Sequence, residues 1–282
     1  MEVNIVIPGR KGLEKKKKIF SEQGKERIHV LADFDRTLTK AYVNGEYIPS
    51  TIALLRNKDY INKDYSNKAR ALAAKYHPIE KNPNVSPEEK KEKMEEWWVS
   101  HFNLLIKSGL NKKHLEKIVQ SEEIQFRKGA LELFDILHKA KIPMVIISST
   151  GIGDVIPMLF EREGKLYDNI HFITNLYQWD NKGRAVWIKK QIITSMNKDE
   201  TSIQEYPFFK QIKNRKNVLL LGDSIGDLGM VKGFKYNNLI KIGFLNDEIE
   251  KNIQDYSANF DVVMLNDTNM NYVTELAKGI IK

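Results

Sequence analysis

Two short strings hold the residues whose types and spacing could do chemistry. One is Asp33-Phe34-Asp35-Arg36-Thr37-Leu38-Thr39, directly after the apolar run Val30-Leu31-Ala32. The other is Gly222-Asp223-Ser224-Ile225-Gly226-Asp227, directly after Val218-Leu219-Leu220-Leu221. Each sets carboxylates where a buried strand would end and a loop begin, which in open α/β sheets is where ligands bind. Asp33 and Asp35 are two apart, so in extended chain they point the same way. One can attack phosphorus. The other can protonate the leaving oxygen and later deprotonate the water that hydrolyses an acyl phosphate. Four acids at two strand ends repel one another unless a cation sits among them. Oxygen-only donors with no His or Cys nearby suit Mg²⁺. Carboxylate with Mg²⁺ is one way to move a phosphoryl group through an aspartyl-phosphate. Taken alone, Asp33 and Asp35 would also fit an Asx-rich turn after a strand; the second acidic string counts against that.

Other residues could complete such a site. Ser149, with the backbone N–H groups of Thr150 and Gly151, can hold phosphate oxygens at a helix N-terminus. Ser148 is a rival for that contact if the preceding strand ends one residue earlier, and plain helix capping is the alternative for Ser149. Lys198, in Ser195-Met196-Asn197-Lys198-Asp199, could neutralise a phosphate and orient the nucleophile, although its local context would serve a surface lysine equally well. Asp223 is the candidate for a third metal carboxylate. Asp227 and Ser224 are placed outside the direct ligands, where Asp227 could orient Lys198 or a metal-bound water, or merely cap the following helix.

The elements that must position these residues follow from pattern. Residues 1–27 are polar and Lys-rich, and a helix lying on the core is expected there. Strands are expected at Ile28 to Ala32, Met144 to Ile147, His171–Thr174, Val218–Leu221, Ile240–Phe244 and Val262–Leu265, with a helix from Gly129 to Ala140. Continuous apolar strands alternating with helices imply an α/β fold with a doubly wound, mostly parallel sheet. Asn44-Gly45, between two β-prone runs, predicts a hairpin flap beside the acids. Residues 50–127 have another texture. Ser66 to Tyr76 is helical in pattern, and Ser86-Pro87-Glu88-Glu89 is a capping box with Pro at the first helical position. That helix should pass Trp97, Trp98 and Phe102 and stop at Gly109, with a shorter one after Asn111. The division expected is a core of residues 1–47 and 128–282 with a helical cap of 48–127. The cap should move on joints near Tyr47–Ser50 and Arg127–Gly129.

Composition bounds the partners. The 282 residues suffice for one core and a smaller unit. No Cys excludes disulfides, thiolate metal sites and a Cys nucleophile. No apolar run approaches a membrane span of about 20 residues, and Lys15 to Lys18 interrupt any signal-peptide core, so a soluble cytoplasmic protein is expected. The net charge of +8 invites a nucleic-acid reading, but only nine of the 45 basic residues are Arg and they are scattered among 37 acids. Readout of phosphates and bases favours Arg, so no nucleic-acid partner is expected and a monomer is favoured.

The motifs also carry a resemblance. Asp33-x-Asp35-x-Thr37, a Ser/Thr after a strand, a Lys, and Gly222-Asp223-Ser224-x-Gly226-Asp227 resemble the four motifs of haloacid dehalogenase-like hydrolases. Thr150-Gly151-Ile152-Gly153-Asp154-Val155, Glu96-Trp97-Trp98, Pro78-Ile79-Glu80, Asn197-Lys198 and the run from Leu239 to Asp247 narrow it to the cytosolic pyrimidine 5′-nucleotidase family, from about residue 28 to the C-terminus. The resemblance implies a Mg²⁺-dependent 5′-nucleotidase acting on nucleoside 5′-monophosphates, pyrimidine ones and, in some members, 7-methylguanosine monophosphate. It implies Asp33 as nucleophile, Asp35 as acid/base, and metal ligation by Asp33, the Asp35 carbonyl and Asp223. It makes Lys198 the phosphate-neutralising lysine, Glu80 a cap residue that meets the nucleoside, and Trp98 an aromatic position where a base could stack, for about 1–3 kcal/mol. One of Trp97 and Trp98 is expected to pack and the other to face the site. Two positions depart: the family's Ser-Ala-Gly is Ser149-Thr150-Gly151 here, and a small polar cap position is His101, a further candidate for substrate contact. Two other readings stand beside this one. A phosphatase of phosphoserine or sugar-phosphate type would use the same four motifs. An RNA- or phosphopeptide-binding protein on an inactive scaffold would use the +8 charge, against which the intact acids argue.

Overall fold

The computed structural model describes residues 4–150, 152–189, 192–198, 203–233 and 235–281. The chain begins with strand β1 (Ile5–Val6), helix α1 (Arg10–Gln23) and strand β2 (Ile28–Ala32). A hairpin follows, β3 (Tyr42–Val43) and β4 (Glu46–Tyr47), then four helices: α2 (Thr51–Asn57), α3 (Lys63–Lys81), α4 (Pro87–Lys107) and α5 (Lys112–Gln120). Next come α6 (Ala130–Lys139), β5 (Met144–Ile147), α7 (Val155–Arg162), β6 (Ile170–Ile173), and a second hairpin of β7 (Tyr177–Trp179) and β8 (Ala185–Ile188). The last stretch holds α8 (Phe209–Ile212), β9 (Asn217–Gly222), β10 (Asn238–Leu245), α9 (Ile249–Asn259), β11 (Val262–Leu265) and α10 (Asn271–Ile280).

Seven strands form one sheet in the order β1-β11-β10-β9-β2-β5-β6. All pairings are parallel except β1 with β11. Successive residues of β2 feed the two faces: Val30 and Ala32 join one core cluster, with Leu133, Phe134 and Val273, whereas Leu31 joins another, with Val145, Leu220 and Met230. Burial on both faces explains why these strands read as unbroken apolar runs. Because β2 lies between β9 and β5, the loops after these three strands meet at one edge.

Local chemistry sets the connections. Asn44 and Gly45 both take positive φ, 52° and 80°, as a tight two-residue hairpin turn requires. Ser86 caps α4, its hydroxyl accepting from the Glu89 N–H at 3.2 Å, and Gly109 at φ 78° ends it. The helix expected over Ser66 to Tyr76 extends from Lys63 to Lys81 and runs through Pro78. Several elements were not anticipated, among them the short helix α8. Strand β1 is only two residues long. Helix α2 begins with five buried residues, Thr51 to Leu55, so it shows no amphipathic period. The β7–β8 hairpin joins the helical insert by main-chain bonds, Ala185 N–H to the Leu110 carbonyl at 2.8 Å and Lys112 N–H to the Gly183 carbonyl at 2.9 Å. Among the described residues, no helix is long and apolar enough to cross a membrane.

Candidate active site

The acidic loop starts where β2 stops. Asp33 donates its N–H to the Leu221 carbonyl of β9 at 3.0 Å, which continues the ladder one residue past the strand and aims its carboxylate at the β9 loop. Arg36 then takes φ 60°, an uncommon conformation for a non-glycine residue. Its carbonyl is held by Arg127 Nη2 at 2.6 Å and by Asn246 Nδ2 at 3.1 Å, and its N–H donates to Thr39 Oγ1 at 2.8 Å. Arg127 is itself buried and donates to the carbonyls of Thr37 and Thr268, besides pairing with Asp267 at 2.7 Å. The turn that presents Asp33 and Asp35 is therefore fixed from beneath.

Opposite, Gly222 closes β9 and lets Asp227 fold back. A side chain at 222 would place its Cβ 2.5 Å from the Asp227 Cβ. Asp227 Oδ2 accepts from the Asp223 and Ser224 N–H groups at 3.1 and 2.9 Å and from Ser224 Oγ at 3.0 Å, while Oδ1 accepts from Lys198 Nζ at 2.8 Å. Lys198 also donates to Asp33. Its loop is tied down by Asn175, which trades hydrogen bonds with the Ile193 main chain at 2.8 and 2.9 Å. Lys198 is thus a buried ammonium bridging Asp33 and Asp227, not a surface lysine.

Single carboxylate oxygens of Asp33, Asp223 and Asp227 all lie within 4.8 Å of one another. A set of hard oxygen donors with no nitrogen or sulfur fits Mg²⁺. Asp227 gives one oxygen to Lys198 and the other to the 223–224 loop, so Asp33 and Asp223 are the carboxylates that could hold an ion. Asp223 pairs with Arg36 Nε at 3.2 Å. Burial, against the pull of Arg36, pushes the Asp223 carboxyl up to about 6. Burial likewise lifts Asp33 well above the usual carboxylate range, against the pull of Lys198. On Lys198 burial acts the other way, but Asp227 and Asp33 outweigh it and hold the ammonium charged. Asp35 is raised by burial too, and its Oδ1 accepts from the Thr51 N–H at 3.2 Å and Thr51 Oγ1 at 3.0 Å. Thr51 is the first residue of α2, so the insert contributes directly to the acid's position.

These groups line a cleft of about 800 Å³. Ser148, Ser149 and Thr150 lie on its floor side, with the Ser148 hydroxyl accepting from the Thr150 N–H at 3.3 Å. Gly151 falls outside the described residues. The far wall comes from the insert. Trp97 and Trp98 stack on each other, ring centroids 5.7 Å apart and 9° from parallel, and both line the cleft while nearly buried. The expectation of one packed and one facing ring is thereby revised: stacking brings adjacent helical residues to the same wall. Glu80 also lines it and accepts from Ser195 Oγ at 2.5 Å, linking the insert to the Lys198 loop. His101 does not reach the lining. It is buried behind Trp98, rings 6.0 Å apart and 14° from parallel, and bonds the Tyr65 hydroxyl at 3.0 Å. Burial and then Arg56 lower it to about 3, so it stays neutral. Arg36, Tyr47, Thr51, Arg56 and Asn175 were not singled out from sequence. Arg36 stood inside the acidic string, but nothing in its spacing gave it a role.

The family model for "Pyrimidine 5′-nucleotidase (UMPH-1)" matches residues 36–281. The chain is 35% identical over 261 residues to the 7-methylguanosine phosphate-specific 5′-nucleotidase of Gallus gallus, covering 92% of this chain and 90% of that protein. It is 33% identical over 259 residues to the Homo sapiens protein of the same name, covering 92% and 86%. Among solved structures, it is similar to cytosolic 5′-nucleotidase IIIB bound to cytidine, with a TM-score of 0.88 and 25% identity over 99% of this chain and 94% of that one. A phosphoserine phosphatase holding a phospho-aspartyl analogue shares the fold, with a TM-score of 0.52 and 18% identity over 88% of this chain and 97% of that one.

Proposed function

Because the chain belongs to the pyrimidine 5′-nucleotidase (UMPH-1) family, we propose that it is a Mg²⁺-dependent 5′-nucleotidase that hydrolyses nucleoside 5′-monophosphates through an aspartyl-phosphate. The observation that carries this is the buried bridge of Lys198 between Asp33 and Asp227, beside Asp223, at the floor of a cleft walled by two indoles. In this reading an Asp33 oxygen attacks phosphorus, and the bond from phosphorus to the 5′ oxygen breaks. Asp35, whose raised pKa suits an acid working near neutrality, gives that oxygen its proton. A water then loses a proton to Asp35 and attacks the same phosphorus, freeing Asp33 and inorganic phosphate. Lys198 neutralises phosphate oxygens, with Ser148 or Ser149 and the following N–H groups holding others. Asp33, Asp223 and the Asp35 carbonyl would hold Mg²⁺, which supplies charge stabilisation to the phosphoryl group.

Residues 48–127 serve as a cap over a core of residues 1–47 and 128–282, with the base lying against Trp98 near Glu80. His101 stays neutral and does not cancel the Glu80 charge. Arg56, which the sequence did not flag, and Lys81 beside Glu80 add positive charge to the same cleft, so Glu80 does not make the pocket anionic. Acceptance of 7-methylguanosine monophosphate then rests mainly on attraction between its cationic base and the indole faces. A cytoplasmic, monomeric enzyme fits relatives that are named cytosolic. The test is kcat/KM for cytidine, 7-methylguanosine and adenosine monophosphates, with Mg²⁺ and after chelation. The first two should be cleaved at comparable efficiency and adenosine monophosphate poorly. Chelation and Asp33→Asn should each abolish release, the latter by ~10⁴-fold or more. Release from phosphoserine or sugar phosphates, with none from nucleotides, would refute the reading.

A further inference from the structure

Among the described residues, nothing pairs with one guanidinium that lines the cleft. Arg56 sits in the last turn of α2, and its half-buried side chain lines the cleft. Arg36, Arg127, Arg162, Arg184 and Arg215 each pair with a carboxylate. Arg56 makes no ion pair or hydrogen bond among the described residues. Burial, reinforced by the nearby Arg70, pulls it below the ordinary arginine range. Its charge is felt at Tyr65 and His101, and His101 is the ring stacked behind Trp98. Arg56 thus lines the same cleft as Trp97, Trp98 and Glu80.

A guanidinium has five N–H donors and no acceptor, so a ligand that enters the cleft can meet it with an acceptor. The phosphate is spoken for at Asp33 and Lys198. What reaches the aromatic wall is the base. Cytosine, uracil and guanine carry exocyclic carbonyl oxygens, whereas adenine carries an amino group and ring nitrogens. The acceptor on that wall is Glu80, which suits base N–H groups, and Arg56 is the matching donor. We propose that Arg56 is a specificity-determining residue that donates to an exocyclic carbonyl oxygen of a base lying on the Trp97–Trp98 wall, selecting oxo-bases against adenine. A site built to donate rejects an analogue lacking the acceptor, because its half-buried donors are then left unpaired. The inference rests on the nucleotidase reading above.

The test compares wild type, Arg56→Met and Arg56→Lys on cytidine monophosphate, adenosine monophosphate and p-nitrophenyl phosphate, which has no base. Arg56→Met should lower kcat/KM for cytidine monophosphate about 10- to 100-fold, mostly through KM, as loss of one hydrogen bond from a charged donor does. The other two substrates should change by less than about threefold, so the cytidine/adenosine ratio collapses. Arg56→Lys, with a donor but no planar fork, should recover part of that ratio. An unchanged ratio in Arg56→Met overturns the proposal, as does an equal loss on all three substrates, which would mark a purely structural role. Wild-type cleavage of p-nitrophenyl phosphate without cleavage of any nucleotide would instead overturn the reading beneath it.

Discussion

Asp223 faces two opposed demands. To hold a cation, as proposed above, it must be ionised, yet burial raises its pKa to about 6 against the pull of Arg36. Its folded value thus lies above the ordinary unfolded one of about 4. Protons then favour the metal-free fold, and this group's contribution to stability falls as pH rises through about 6. Metal binding runs the other way, since the ligand must lose its proton. The Mg²⁺-induced rise in Tm should be clear at pH 7.5 and shrink toward pH 5.5, read by calorimetry with and without the ion. A rise that does not depend on pH would remove Asp223 from the ligand set. At this scale the acids were legible because each follows an apolar strand directly. Lys198 was not legible from its surroundings alone, because its partners Asp33 and Asp227 are distant in sequence. Arg56 and Thr51 stayed hidden for a related reason: both lie on a helix too buried to show a period, so nothing marked which of its residues face the cleft.

The element that most constrains the site is the turn after β9. Gly222 is there because Asp227 needs the room, its Cβ lying 2.5 Å from where a side chain at 222 would begin. Gly222→Ala should destabilise the fold by about 1–3 kcal/mol, as overpacking does, and should cut turnover, since Asp227 is the second anchor of Lys198. Urea denaturation and kcat measure the two effects, and a variant indistinguishable from wild type would mean that this turn yields freely. The joints of the insert are also decided by local bonding. The expected joint at Arg127–Gly129 is a poor one, because the Arg127 side chain is fixed by carbonyls of three residues and by Asp267, and Gly129 at φ 91° packs against Asn271. The Gln125 carbonyl likewise accepts from the Lys40 N–H at 2.9 Å, so the chain is tied to the core from Gln125 onward. The continuous apolar strands β2, β5 and β11 were readable to the residue. The β7–β8 hairpin was not, since its short, half-exposed strands lack both a long apolar run and an Asn-Gly turn.

Across the whole molecule, three stretches of chain meet at one sheet edge because β2 lies between β5 and β9. The parallel α/β class followed from alternating apolar runs and helices. The strand order did not, because pairing depends on which faces pack and not on any one segment. Strand β1 shows the limit most plainly. Two residues, Ile5 and Val6, pair antiparallel with Met264 and Val263 of β11. Without them, β11 would offer a bare row of N–H and C=O groups, beside the apolar Val263 and Leu265, to any passing extended chain. Removing residues 1–9 should therefore leave catalysis nearly intact while driving concentration-dependent self-association, measurable by light scattering. A truncated chain that stays monodisperse would show that β1 is dispensable. The pairing also joins two segments that lie far apart in sequence. That boundary of the sheet thus closes only when both distant segments are in place, and a partly folded chain is the form of this protein most exposed to aggregation.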